Sequence, residues 1–139
     1  GDEVLEIGTG SGYLTALLAA LGAKVTSVEI NPRLAAMARQ NLDRAGLREV
    51  TLAIGDGARG WGRGEYDAIV LTGSTPRLDD AFLRQLKPGG RVFAVVGDAP
   101  VMTARIIRWV GAGSFTTTDR FETVIAPLHN AAAPARFAL

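Results

Sequence analysis

Apolar and polar positions follow two rhythms along this chain. Val4-Leu5-Glu6-Ile7 is a short, mostly apolar run closed by glycines at positions 8, 10 and 12. Behind it Tyr13, Leu14, Leu17, Leu18 and Leu21 recur at helical spacing until Gly22. That order predicts a buried strand, a tight turn, and a helix packed on a sheet through the apolar stripe. Lys24 to Val28 is rich in β-branched residues and predicts a second strand ending at Glu29. Asn31-Pro32 then offers an N-cap and a first-turn proline. Leu34, Met37, Ala38 and Leu42 keep helical spacing up to a glycine stop at Gly46, with Met37 as core filler.

Val50 to Ile54 predicts a third strand. The stretch Gly55 to Glu65 before the fourth strand, Tyr66 to Leu71, is too short for a full helix and a crossover. After a small polar loop, Thr72-Gly73-Ser74-Thr75-Pro76, the segment Leu78 to Leu86 predicts a helix with Ala81, Phe82 and Leu86 facing inward. Lys87-Pro88-Gly89-Gly90 turns the chain into a fifth strand, Arg91 to Val96. From there the pattern is β-rich. Met102 to Val110 and Phe121 to Leu128, joined by a Gly/Ser/Thr-rich link, predict an antiparallel hairpin at the sheet edge. Residues 1–129 read as one α/β domain, and the aperiodic, alanine-rich 130–139 reads as a tail.

Composition narrows the function more than the fold. The chain has 139 residues, 47% of them hydrophobic, enough to bury a core. With 15 basic against 14 acidic residues the net charge is +1, so no long-range field favours nucleic acid or an anionic membrane. No apolar run approaches the roughly 20 residues of a membrane span. The absence of cysteine excludes disulfides, thiolate metal sites and a cysteine nucleophile. No metal is implied, and a cytoplasmic enzyme is the expectation. His129, the single histidine, reads as a surface or tail residue.

Candidate chemistry gathers at the ends of the strands. Glycines allow left-handed backbone and close approach of a ligand, and the free N–H groups of the following helix face the mouth of the turn. A dinucleotide turn has the spacing G-x-G-x-x-G/A, but Tyr13 stands where its third glycine belongs, and Gly12 gives G-x-G-x-G instead. Glu29 lies near the distance at which such folds present an acid to ribose hydroxyls, although it also suits a solvent-facing strand end. Asp56, between Gly55 and Gly57, could accept from an adenine amino group or simply form a turn. Trp61 fits either contact with an adenine or a pin that holds its loop to the core.

Glu6-Ile7-Gly8-Thr9-Gly10-Ser11-Gly12 resembles motif I of the class I S-adenosylmethionine methyltransferases. Adding Gly55-Asp56-Gly57, Gly60-Trp61, Tyr66-Asp67-Ala68-Ile69, Leu86-Lys87-Pro88-Gly89-Gly90-Arg91 and Ala126-Pro127-Leu128, the chain resembles one family among them, the protein-L-isoaspartate O-methyltransferases. The resemblance implies a Rossmann-like, doubly wound, mostly parallel seven-stranded sheet with an antiparallel C-terminal edge hairpin. It implies S-adenosylmethionine as cofactor, leaving as S-adenosylhomocysteine, over the carboxyl ends of the first strands. Cofactor contacts are then expected at Glu6, Gly8, Thr9, Gly10, Ser11, Gly12, Glu29, Ile30, Asp56 and Gly57. The implied acceptor is the carboxylate of an isoaspartyl residue in a damaged protein or peptide, which is ionised at neutral pH and needs no general base, so no catalytic acid or base is assigned.

Members of that family carry a serine-containing substrate loop upstream of motif I. This chain, which opens without methionine, is expected to be an excised piece lacking that segment. Thr72 to Pro76 and Asp98 to Met102 also differ from the alanine-rich and glutamine-containing stretches usual in the family. A class I methyltransferase with another acceptor, and a cofactor-binding module without catalysis, therefore stand beside the isoaspartyl reading.

Overall fold

The computed structural model describes residues 1–131, in the order β1 (Glu3–Ile7), α1 (Tyr13–Ala20), β2 (Lys24–Glu29), α2 (Pro32–Arg44), β3 (Thr51–Ile54), β4 (Tyr66–Thr75), α3 (Asp80–Arg84), β5 (Leu86–Asp98), β6 (Val101–Gly111) and β7 (Ser114–Thr123). The strands form one sheet in the order β3-β2-β1-β4-β5-β6-β7. β1 to β5 are parallel, and β6 and β7 add antiparallel at one edge, so the sheet is the Rossmann-like one expected.

Period-two alternation decides which side each residue serves. Leu5 and Ile7 of β1 share a core with Ile69, Leu71, Val92 and Phe82, which comes from α3. The intervening Glu6 faces the opposite side, toward α1. On that side Val25, Leu42 and Val50 pack against Ala16, Leu18 and Ala19. Helices thus cover both faces.

Both long helices end as their glycines predict. Gly22 and Gly46 take φ of 95° and 76°, and the amides of Ala23 and Leu47 reach back to the carbonyls of Leu18 and Leu42. These are Schellman caps. Asn31 caps α2, its Oδ1 accepting from the amides of Arg33 and Leu34.

Several elements differ from the sequence expectations. The inward face of α1 is not the leucine stripe: Thr15 is fully buried, whereas Tyr13, Leu17 and Leu21 are exposed, Tyr13 by 74%. A hydrogen bond from Thr15 to Glu6 sets the rotation of the helix. In α2, Ala35, Ala38 and Leu42 face in, and Met37 lies half-exposed rather than filling the core. α3 is a single short stretch capped by Asp79, because strand pairing begins as early as Leu86. The Lys87–Gly90 segment belongs to β5 and not to a separate turn. Likewise Thr72 to Thr75, expected as a loop, extends β4, with Ser74 and Thr75 paired to Val95 and Val96.

The hairpin also moves. The supposed link is itself strand β7, since its threonines and phenylalanines favour extended backbone. Gly111-Ala112-Gly113, all at positive φ, make the turn. The Phe121–Leu128 strand expected from sequence ends at Thr123, and the chain then leaves the edge. Of the expected tail, Asn130 is tied into the fold, while 132–139 lie outside the described residues.

Candidate functional site

A cleft of ≈ 260 Å³ opens at the carboxyl ends of β1 to β4. Gly8 and Gly10 line it from the turn after β1, Glu29 and Ile30 from the end of β2, and Asp56 and Gly57 from the loop after β3. Thr72 and Gly73 of β4 and the segment Ala126 to His129 complete the wall. A larger groove of ≈ 900 Å³ lies at the opposite ends of the same strands, among Glu3, Lys24, Glu49 and Tyr66. Open parallel sheets bind ligands outside the carboxyl ends of their strands, so the smaller cleft is the functional candidate.

Glu29 is the best-defined polar group of the cleft. It is 5% exposed, its Oε1 accepts from the Gly10 amide at 2.8 Å, and its Oε2 accepts from the Asn31 amide at 2.9 Å. One carboxylate thereby joins the glycine turn to the start of α2. Each oxygen keeps a second lone pair for a ligand hydroxyl.

The turn is held from below as well. Thr72 Oγ1 lies 2.9 Å from the Ile7 carbonyl and 2.6 Å from the Gly8 carbonyl, donating to this pair from β4. Gly10, at φ +56°, has nothing within 4 Å of where a Cβ would stand, and the residue lines the cleft. A nucleoside-bearing ligand could therefore approach the main chain here without displacing a side chain. The residues present fit S-adenosylmethionine in this respect.

Four of the expected contact residues are not among those lining the cleft. Glu6 is fully buried beneath the turn, where its Oε1 accepts from Thr15 and, at 2.6 Å, from Ser27. Ser27 has one hydroxyl proton, so Thr9 is the donor in the 2.6 Å Thr9–Ser27 contact. Burial pushes the Glu6 carboxyl above the ordinary range, outweighing the Ser27 and Thr15 hydroxyls that lower it; the Glu29 charge adds to the rise. Glu6 and Thr9 thus support the turn from inside and do not face the cleft. Ser11 is exposed, and its carbonyl accepts from Asn41. Gly12 caps α1 at φ 87°, packed on Ala38.

Asp56 forms the turn foreseen for it, with Oδ1 accepting from the Ala58 amide, and it also lines the cleft. Its Oδ2 accepts from Asn130 at 2.8 Å. Trp61 packs on the main core and against Gly55, where an added Cβ would stand 2.5 Å from the ring. It is the pin, not a wall of the cleft. Gln85, which sequence reasoning passed over, holds that loop: its Oε1 accepts from the Trp61 amide and its Nε2 donates to the Trp61 carbonyl at 2.7 Å. Thr15, Ser27 and Asn130 were likewise missed, and Leu128 was read only as the end of a strand. His129 is exposed, as expected, but lines the cleft. Among the described residues no cluster of His, Asp and Glu suits a metal, and no helix is long and apolar enough to cross a membrane.

Residues 1–132 match the family model described as protein-L-isoaspartate(D-aspartate) O-methyltransferase. The chain is 43% identical over 135 residues to a protein-L-isoaspartate O-methyltransferase 1 of Anaeromyxobacter sp., covering 94% of this chain and 63% of that one. It is 46% identical over 102 residues to a protein-L-isoaspartate O-methyltransferase of Methanospirillum hungatei, with 73% and 47% covered. A solved protein-L-isoaspartate O-methyltransferase superposes with a TM-score of 0.84 at 27% identity, over 94% of this chain and 43% of that one. The chain spans about half the length of the curated relatives it matches, 44% to 63% for the first three.

Proposed function

Because the chain belongs to the protein-L-isoaspartate(D-aspartate) O-methyltransferase family, we propose that its cleft binds S-adenosylmethionine and serves methyl transfer to a carboxylate. The acceptor in this reading is an isoaspartyl residue of a damaged protein or peptide. Residues 1–129 form the methyltransferase unit, acting in the cytoplasm. The observation that carries the reading is Glu29: a buried carboxylate, fixed by the Gly10 and Asn31 amides, at the mouth of a glycine turn.

When bound, the cofactor supplies a methyl on a sulfonium, which passes to a carboxylate oxygen as the carbon–sulfur bond breaks and S-adenosylhomocysteine is left. Glu29 would accept from the ribose diol, Asp56 would accept from the adenine edge, and Ile30 would stand against the adenine. The turn bearing Gly8 and Gly10 would hold the methionine end. No side chain has to remove a proton, because the acceptor is already an anion. The protein's work is to align and dehydrate, and alignment alone can supply about 7–11 kcal/mol in favourable cases. Methyl transfer from a sulfonium to a carboxylate also neutralises two opposite charges, which is favoured where water is excluded.

Calorimetric titration with S-adenosylhomocysteine tests the binding step, and methyl incorporation into an isoaspartyl peptide, with its aspartyl counterpart as control, tests the acceptor. Saturable binding weakened by Glu29→Ala is expected. Absence of binding, or binding indifferent to Glu29, would sink the cofactor reading. Binding without turnover would leave a cofactor-binding module.

A further inference from the structure

After β7 the chain does not trail away. Ile125 packs beside Val95, Met102 and Ala104, and the next residues run along the end of β4. The Ser74 amide donates to the Ala126 carbonyl at 3.0 Å, and the Leu128 amide donates to the Ser74 carbonyl at 2.8 Å. Leu128 packs on the main core, above Gly8 and Gly73, where a Cβ on Gly73 would stand 2.9 Å from its amide nitrogen. Two residues later Asn130 Nδ2 donates to Asp56 Oδ2 at 2.8 Å.

The strand order gives this path its meaning. β4 and β3 are separated by β1 and β2, but the loop after β3 reaches back, Gly57 standing against Ile7 and Val28, and the segment pinned to Ser74 crosses to meet that loop at Asp56. Gly8, Gly10 and Glu29 line the cleft that this segment borders. Ala126 to His129 line the cleft, whereas Asn130 is not among the lining residues and reaches Asp56 from the rim.

The two ends of the crossing are held unequally. Backbone pairing and a packed leucine fix the β4 end, while among the described residues one side-chain hydrogen bond holds the other. Asn130 also takes φ 59°, a left-handed conformation that asparagine tolerates better than most residues.

Building on the cofactor reading above, we propose that residues 125–130 form a strap over the nucleoside cleft and that Asn130 is its clasp. In this role Asn130 is a positioning residue, fixing the Asp56 carboxylate and keeping the strap down. Entry and exit of the nucleoside require the clasp to open, and the strap swings about the Leu128 anchor. The substrate class that senses it is the adenine nucleoside, through Asp56.

Asn130→Gly tests this directly, since glycine accepts the left-handed backbone and deletes only the side chain. Stopped-flow dissociation of S-adenosylhomocysteine should speed up about tenfold, the rate equivalent of one hydrogen bond. Preference for S-adenosylhomocysteine over its inosine analogue, which lacks the adenine amino group, should fall. Asn130→Asp, which sets two carboxylates face to face, should accelerate release further. Amide exchange on the ligand-free protein supplies the independent reading: the Ala58 amide, which depends on the placement of Asp56, should exchange faster in both variants. Dissociation within twofold of the unmutated chain in both variants overturns the clasp. If the unmutated chain binds no S-adenosylhomocysteine, the cofactor reading fails. The exchange data then judge the tie alone, with unchanged Ala58 exchange overturning it and accelerated exchange upholding it.

Discussion

Gly10 and Glu29 are joined by an amide-to-carboxylate hydrogen bond of 2.8 Å, so the turn after β1 and the acid ending β2 form one unit. Glu29→Ala removes both this acceptor and the one facing Asn31. We expect it to weaken S-adenosylhomocysteine binding by about 1–3 kcal/mol and to lower folding stability by a similar amount. Glu29→Gln keeps one oxygen but turns an NH2 toward a backbone N–H, so it should retain only part of each. Calorimetry and urea unfolding on the same samples separate the two losses.

A second prediction concerns pH. Burial raises the proton affinity of Glu6 in the folded chain, so the native state holds this proton more tightly than the unfolded one. The associated stability is full below the ordinary value of 4.5 and is lost as pH rises through the higher folded value. Glu6→Gln, whose Oε1 can still accept from Thr15 and Ser27, should remove this downward slope. Urea unfolding of both proteins from about pH 4 to about pH 8 measures it, and parallel curves would contradict the assignment.

Gln85→Ala should free the loop around Trp61. The side chain bonds the Trp61 amide and carbonyl and reaches the Gly62 and Gly64 carbonyls, and each lost bond is worth about 1 kcal/mol. A stability loss of about 1–3 kcal/mol is expected, with limited proteolysis newly cutting after Arg59 or Arg63.

At Gly57 the obstacle is space, not backbone conformation. An added Cβ would stand 2.7 Å from Ile7 Cδ1 and 3.4 Å from Val28 Cγ1, both on buried residues of the cleft floor. Gly57→Ala should cost about 1–3 kcal/mol by overpacking, read as a lower Tm.

The alternation of strands and helices, both glycine stops and the Asn31 cap were readable because each depends on neighbours in the chain. What failed was phase and extent. No leucine count could show that Thr15 would turn inward to meet Glu6, a residue on another element, at the expense of Tyr13 and Leu17. Ser74 reads as loop until Ala126 and Leu128 arrive to pair with it. For the candidate site, the gathering of Gly8, Gly10, Glu29, Asp56 and Gly57 at one edge of the sheet was legible from their positions at strand ends. The inward placement of Glu6 and Thr9, and the meeting of Asp56 with Asn130, depend on contacts between distant segments.

Among the described residues β7 leaves the sheet with an open flank, nearly every residue from Ser114 to Thr123 lying exposed. A second extended chain laid along it would find free backbone partners for most of that length, the usual route to sheet growth by edge addition. It would also meet Asp119, Arg120 and Glu122, with Asp119 already paired to Arg105. An incoming strand must dehydrate those charges or take a register that avoids them. The hairpin end of the sheet thus carries its own deterrent to aggregation, and neutralising those three positions would remove it.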